Sequence, residues 1–236
     1  IIAHLLLLNS YSRLEAGLMT GRVEMTLSVL KQELEDLTVL ARDHGQWDEC
    51  CYFMQNKNQD FIKSNFEDAT FKNNKINLLM ILDNSGSILY SKGFDLQKET
   101  PVPVPEEIRH YFAERCGDGP EAPVEGYLNI SGQTLLAAME PVCSSTAPNV
   151  PQGWIVMGSY LDADKISHLS RLTHLALNFQ TVGQGAGLEV ERLSRERIRV
   201  TPVGDGMLRG QVLIRDIDGQ PALIMQVTSP RSIYQH

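Results

Sequence analysis

The chain reads as an α+β protein in which one long N-terminal helix packs on an antiparallel sheet and a smaller C-terminal sheet follows. Three observations predict it. Residues 13–55 contain no proline and only Gly17, Gly21 and Gly45. Within them Val23, Leu27, Leu30, Leu34, Leu37 and Ala41 recur at spacings of 4, 3, 4, 3 and 4, the mark of a helix with a continuous apolar seam. Apolar runs then flank Asp83-Asn84-Ser85-Gly86, a strong hairpin signal. The blocks that follow, in the order strand, strand, helix, strand, strand, strand, suit an antiparallel α+β layer.

In order along the chain, residues 1–12 ("IIAHLLLLNSYS") hold an apolar run shorter than the roughly 20 residues a spanning helix needs. It has neither the basic leader nor the small-residue cleavage site of a signal peptide. It is expected to be the end of a membrane segment, with a helix start docked on the body as the alternative. Residues 13–55 are expected to form one long helix. Its seam needs a partner, either the same helix of a second chain or a sheet of this chain. Leu14, Leu18, Met25, Val29 and Leu40 widen the stripe enough to serve both. A homodimer through the seam is expected.

The polar stretch "QNKNQDFIKSNFED" turns the chain, and "INLLMILDNSGSILYSKGFD" supplies two strands. "PVPVPEEIRHYFAERC" reads as a short helix behind Glu106 and Glu107. "GYLNISGQTLLAAMEPV" and "GWIVMGSYL" add strands, completing a subdomain over 56–161. Residues 162–180 read as a connecting helix, with Ile166, Leu169, Leu172, Leu175 and Leu177 mostly at helical spacing behind Asp162 and Asp164. Residues 181–236 give three strands, "IRVTPV", "MLRGQVLIRDIDG" and "PALIMQVTSP", turned at Gly204-Asp205-Gly206 and Asp218-Gly219. The tail "SIYQH" is expected to lead into a second membrane segment, with Tyr234 at interfacial depth. Asp83 to Gly86 and Asp216 to Gly219 share an Asp-x-x-Gly pattern, read as common turn chemistry.

The 236 residues are 42% hydrophobic and 21% charged, a globular composition. A net charge of −8 without any basic cluster argues against nucleic-acid binding. Cys50, Cys51, Cys116 and Cys143 show no CxxC spacing, which argues against a zinc ribbon. Adjacent Cys50 and Cys51 leave a helix in different directions. Cys116 and Cys143 sit in loop-like contexts and form a candidate disulfide if the domain lies outside the cytoplasm. No GxSxG, HExxH or phosphate-cradling glycine loop is present, and the six histidines are scattered, so no catalysis is expected.

The stretch "GQWDECCYF" (residues 45–53) concentrates an indole, two carboxylates, two thiols and two further rings. His44, Asp48 and Cys51 fall at i, i+4 and i+7, one face of a helix, but they are not a recurrent ligand set and nothing supplies a fourth ligand. No metal or cofactor is expected. Aromatic packing on the sheet is the plain alternative to a ligand pocket, and low-pKa thiol chemistry at Cys50 or Cys51 is a third reading.

A long helix ending in "WDECCYF", then "NQDFIKSNF", "INLLMILDNSGSILYSKG", "MEPV", "GWIVMGSYLD" and "LIRDIDGQPALIMQVTSPRSIY" resembles the fourth CHASE family of extracellular sensors. The landmarks are Trp47, Asp48, Phe53, Asn65, Asp83 to Gly86, Asp216, Gly219, Pro221, Pro230 and Arg231, over about residues 13–234. The family's tyrosine at position 51 is Cys51 here, and its aromatic at 61 is Phe61. The resemblance implies a PAS-like, Cache-like sheet wrapped by the long helix and placed between two membrane segments. It also implies a diguanylate cyclase, phosphodiesterase or histidine kinase output. In PAS-like sensors the ligand lies between the sheet and its covering helices. Trp47, Asp48, Asn65, Tyr90, Tyr127 and Tyr160 are therefore candidate liners, with Arg109 as a carboxylate clamp. The expected function is a periplasmic or extracellular sensor of a small molecule, with a ligandless interaction module as the alternative.

Overall fold

The computed structural model describes residues 2–117, 123–130, 132–183, 187–204 and 206–231, with side chains from Ser10 onward. Helix α1 (Ile2–Gly45) precedes three short helices, α2 (Asp48–Asn56), α3 (Gln59–Asn65) and α4 (Asp68–Asn74). Next come β1 (Leu78–Asp83), β2 (Ile88–Asp95), β3 (Thr100–Val102), α5 (Glu106–Gly117), β4 (Val124–Ile130), β5 (Gln133–Val142) and β6 (Gly153–Tyr160). The remainder is α6 (Ala163–Thr173), β7 (Ala176–Thr181), α7 (Gly187–Arg195), β8 (Arg199–Val203), β9 (Met207–Arg215) and β10 (Pro221–Pro230). The chain divides into two compact units, Glu33–Leu161 and Ile1–Gln32 with Asp162–His236. The long helix thus contributes to both, where the sequence reading had assigned it to neither.

The larger unit is built on a six-stranded antiparallel sheet in the order β3-β2-β1-β6-β5-β4. Its inner strands are near-continuous apolar runs because both faces are covered. On one face Leu79, Ile81, Phe94, Leu136, Ala138, Ile155 and Met157 meet α1 at Leu34, Leu37 and Ala41, and meet α2 to α4 through Phe53, Phe61, Phe66 and Phe71. The alternate residues Leu78, Met80, Leu82, Leu135 and Met139 point the other way and are also buried. Helix α5 packs beside β1 and buries Ile108, Phe112 and Cys116. Asn77 ties the sheet together: its N–H donates to Gly158 O (2.7 Å), while its side chain donates to Phe94 O (3.2 Å) and accepts from Tyr160 N–H (2.9 Å).

The hairpin forms where expected. Asp83 Oδ1 accepts from the N–H groups of Ser85 and Ser87, each at 2.9 Å, and from the Ser85 hydroxyl at 2.6 Å. Gly86 has φ +83°, and a Cβ there would lie 2.2 Å from Ala113 O, so only glycine fits. Asp216 repeats the device, accepting from Asp218 and Gln220 N–H groups. The echo is turn chemistry.

Four expectations are corrected. The helix expected over 13–55 is two helices: α1 ends at Gly45 and Trp47 is extended (φ −74°, ψ 129°). A Cβ at Gly45 would sit 2.6 Å from Pro141 O, and Gly45 O accepts from Cys143 N–H, so the end of β5 meets the helix and stops it. The polar stretch before β1 is not a simple turn but holds α3 and α4, and β3 also went unread. The connecting helix stops at Thr173, capped by left-handed His174 (φ 55°). Leu175, Leu177 and Phe179 alternate with exposed neighbours, a strand period, so β7 makes the small sheet four-stranded; α7 was not anticipated. Finally, Cys116 and Cys143 are separate free, buried thiols: Cys116 lies near Asp83, and Cys143 near Cys51.

The smaller unit's sheet has the order β7-β10-β9-β8. The first part of α1 packs on β9 closely: a Cβ at Gly210 would fall 2.5 Å from Val23 Cγ2 and 3.0 Å from Met19 Cγ. Arg22 donates to the Ser229 hydroxyl. Arg231 Nε and Nη2 bond Glu15 Oε2 at 2.9 and 2.7 Å, and Glu15 is only 4% exposed. Here the seam expectation is corrected too. Val23, Leu30, Leu34, Leu37 and Ala41 are each at most 8% exposed, with Leu27 half-buried, so the seam is consumed within the chain and offers a second copy no contact. No helix among the described residues is long and apolar enough to cross a membrane, and Tyr234 lies outside them, as does Asp205.

Candidate functional site

Within the larger unit, the end of α1 and helices α2 to α4 cap one sheet face. Under this cap runs a chain of rings. His44 lies 4.3 Å from Trp47 and 5.9 Å from Phe66 between centroids; Phe66 stacks on Tyr90 at 6.0 Å and meets Phe61 edge-on at 5.5 Å. Phe61 continues to Phe53 at 5.6 Å. The break after Gly45 turns Trp47 back onto His44, and β2 brings Tyr90 up from below.

Three polar atoms on this chain have no protein partner among the described residues. His44 Nδ1 lies 2.9 Å from Leu40 O, and a carbonyl only accepts, so Nδ1 carries the proton and Nε2 is left as an acceptor. The Trp47 indole N–H is a donor. The Tyr90 hydroxyl is both donor and acceptor; burial, and then the charge of Asp68, push its pKa up to about 12, so it stays neutral. Lys92 secures the cap from beside Tyr90, bonding Asp68 Oδ1 (2.7 Å) and Phe66 O (3.0 Å) and lying 4.8 Å over the Phe71 ring.

Two grooves flank the cap. One, of about 410 Å³, is lined from α2 by Glu49, Tyr52 and Phe53 and from α3 by Asp60, Phe61 and Asn65. The other, of about 400 Å³, lies where Arg42 and Gln46 meet Pro141, Cys143 and Ser145. Arg42 there bonds Glu140 at 2.9 Å, and that hydrogen bond and charge raise its pKa.

The structure brings Trp47, Asn65 and Tyr90 around the cap and disperses the rest. Asp48 accepts from Ser145 N–H (2.8 Å) and Oγ (2.7 Å), which hold its carboxyl below the usual range; it fastens a loop. Asn65 donates to Phe61 O at 2.9 Å. Tyr127, on β4, is separated from Tyr90 by β1, β6 and β5, and burial, then Glu125, push it up to about 12. Tyr160 pairs with Leu135 on the opposite sheet face, where burial raises it. Arg109 lies on α5 and pairs with Glu106 at 2.8 Å, so it is no clamp for this cap. Among the described residues no three potential metal ligands converge. Burial, then Cys51, push Cys50 up to about 12, which leaves it protonated and unreactive at neutral pH. Sequence reasoning missed His44 and Phe66 as members of the ring chain; the only signal was their nearness to Trp47 and Asn65.

The CHASE4 domain model matches residues 29–180, which include the whole of the larger unit. The chain belongs to the CHASE4 family. Over 234 residues it is 23% identical to the "Methanogenesis regulatory histidine kinase FilI" of Methanothrix harundinacea (strain 6Ac), a match to 97% of this chain and 26% of that protein. This CHASE4 chain therefore spans about a quarter of that relative's length. Its fold is that of the periplasmic domain of Vibrio cholerae LuxQ (TM-score 0.60, 10% identity, 90% of this chain and 99% of that one). The same fold occurs in the extracellular domain of vpHK1S-Z8, described as a histidine kinase (TM-score 0.63, 12% identity, 94% and 93%). These domains are extracytoplasmic, the placement expected for this chain.

Proposed function

We propose that this CHASE4 domain senses a small molecule for a membrane receptor, at the His44, Trp47 and Tyr90 end of the ring chain. The observation that carries the reading is the set of three polar atoms without a protein partner among the described residues, beside an aromatic wall at the edge of the cap: a donor, an acceptor and a group that is both. None of the three atoms is sealed from solvent, so each is open to water that a ligand's polar groups would displace. The relative's kinase description favours a histidine kinase output over a cyclase or phosphodiesterase. Movement of the cap acts on α1, whose last turns it contains, and a differential affinity of roughly 1–3 kcal/mol shifts output several-fold. A thermal-shift screen of metabolites tests this. A ligand present at 100 times its Kd adds about 2.7 kcal/mol, hence a midpoint rise of roughly 5–10 °C. The rise should fall by half or more in Tyr90→Phe and Trp47→Phe. A hit indifferent to both variants contradicts the site.

The alternative, a ligandless dimerisation module, has its own observation. On α1, Tyr11, Leu14, Leu18 and Met25 are 46%, 63%, 58% and 44% exposed, at spacings of 3, 4 and 7, with open Gly21 completing the repeat. We assign the homodimer contact to this row, which lies roughly a third of a turn around α1 from the buried seam. Leu14→Glu with Leu18→Glu should convert a dimer to a monomer in ultracentrifugation, and unchanged mass contradicts the assignment.

A further inference from the structure

We infer that Cys51 and Cys143 are a redox pair that closes to a disulfide across the break between α1 and α2. The pairing stands whether or not the ring chain holds a ligand. Hydrogen bonds at two points bring the end of β5 to this break. Cys143 N–H donates to Gly45 O at 3.0 Å. Ser145 donates to Asp48 from its N–H at 2.8 Å and from its hydroxyl at 2.7 Å. Residues 143–145 therefore run alongside residues 45–48. Cys51 follows Asp48 by three residues in α2, so it stands on the same side of that helix and faces the same segment. Both thiols are buried, and they are near enough that Cys143 acts on Cys51: burial first, then Cys143 and Asp48, push the Cys51 pKa up. Cys143 also lines the groove of about 400 Å³, which is the side from which an oxidant reaches the pair.

The other thiols fit worse. Cys50 is fully buried and leaves α2 in a different direction from Cys51. Cys116 lies on α5, near Asp83. The chemistry is thiol–disulfide exchange. The Cys143 thiolate attacks the disulfide of an oxidant, an oxidoreductase or oxidised glutathione, and displaces one of its thiols. The Cys51 thiolate then attacks the Cys143 sulfur and displaces the second. Two cysteines lose two electrons, the oxidant's disulfide becomes two thiols, and those thiols take up the two protons. Burial raises the pKa of both cysteines, so the exchange quickens in alkali. The bond fastens the first helix of the cap to the sheet, in a compartment where disulfides persist.

The test is incubation of the reduced 236-residue protein with oxidised glutathione in mildly alkaline buffer, followed by denaturation, alkylation and mass spectrometry. The expected product has lost two hydrogens, keeps two of its four thiols for alkylation, and yields a non-reducing peptide map that joins the Cys51 and Cys143 peptides. Its thermal midpoint should lie roughly 5–10 °C above that of the reduced protein. Cys51→Ser should stop at a glutathione adduct on Cys143, while Cys116→Ser should close as the native protein does. Four alkylated thiols, a lasting glutathione adduct on the native protein, or a link that includes Cys50 or Cys116 overturns the inference.

Discussion

The two sheets of this molecule solve the burial problem differently. In the six-stranded sheet, β1 and β6 are buried along nearly their whole length, with helices covering the face that carries the ring chain. In the four-stranded sheet the flanking strands β7 and β8 are largely exposed or half-buried, and only β10 and much of β9 are interior. The first sheet is a filled layer that holds a polar constellation under its cap. The second works as a fastening, joining the early turns of α1 to the strand leading to the chain's end through Glu15 and Arg231, Arg22 and Ser229, and the close approach at Gly210. Where core is thin, specific polar links carry the attachment, even with the buried Glu15 Oε1 left without a partner.

That contrast can be broken most forcefully in the larger unit. Phe66→Ala removes a ring that is 2% exposed and packed against three others, and should cost about 3–5 kcal/mol in urea unfolding. A loss under 1 kcal/mol would mean the layer is not filled. In the smaller unit, Arg231→Ala strands a buried carboxylate and should cost about 3 kcal/mol. The double replacement Glu15→Leu/Arg231→Met should recover most of it. Gly45→Ala forces a methyl against Pro141 O, where backbone rather than a pliable side chain must yield, for about 1–3 kcal/mol. If it is neutral, the helix break has another cause.

The smallest effect is pH-linked. Asp48 has its pKa lowered in the folded state by the Ser145 N–H and hydroxyl. The stability it contributes is therefore present above the ordinary carboxylate value of about 4 and lost as pH falls through the lower folded value. Asp48→Asn should flatten the loss of urea midpoint on acidification from pH 5 to pH 2. An unchanged slope would show that the bond to Ser145 does not form in solution.

Features determined by neighbouring residues were legible in the sequence. The Asp83 and Asp216 turns follow from a carboxylate meeting nearby N–H groups and a glycine at positive φ. The apolar runs of β1, β5 and β6 announced their burial. Features determined by distant residues were not. The break at Gly45 depends on Pro141, and the seam's partner depends on sheets formed later in the chain. Strand β7 hides behind a helical rhythm that Leu169 and Leu172 set and Leu175 continues in spacing, although left-handed His174 ends the helix between them. In the ring chain, Trp47 and Tyr90 were legible as rings flanking expected elements. Arg109 was misplaced because nothing in its own stretch says which sheet face its helix covers, and His44 was weighed only as a metal ligand. Its place between Trp47 and Phe66 required the fold.

The sensing claim meets its most direct test in a native mass spectrum of the domain purified without denaturant. We expect a small molecule retained at one per polypeptide, and reduced to a minor fraction in a Trp47→Phe/Tyr90→Phe variant of unchanged fold. A bare polypeptide mass, or an adduct equally abundant in that variant, would contradict it.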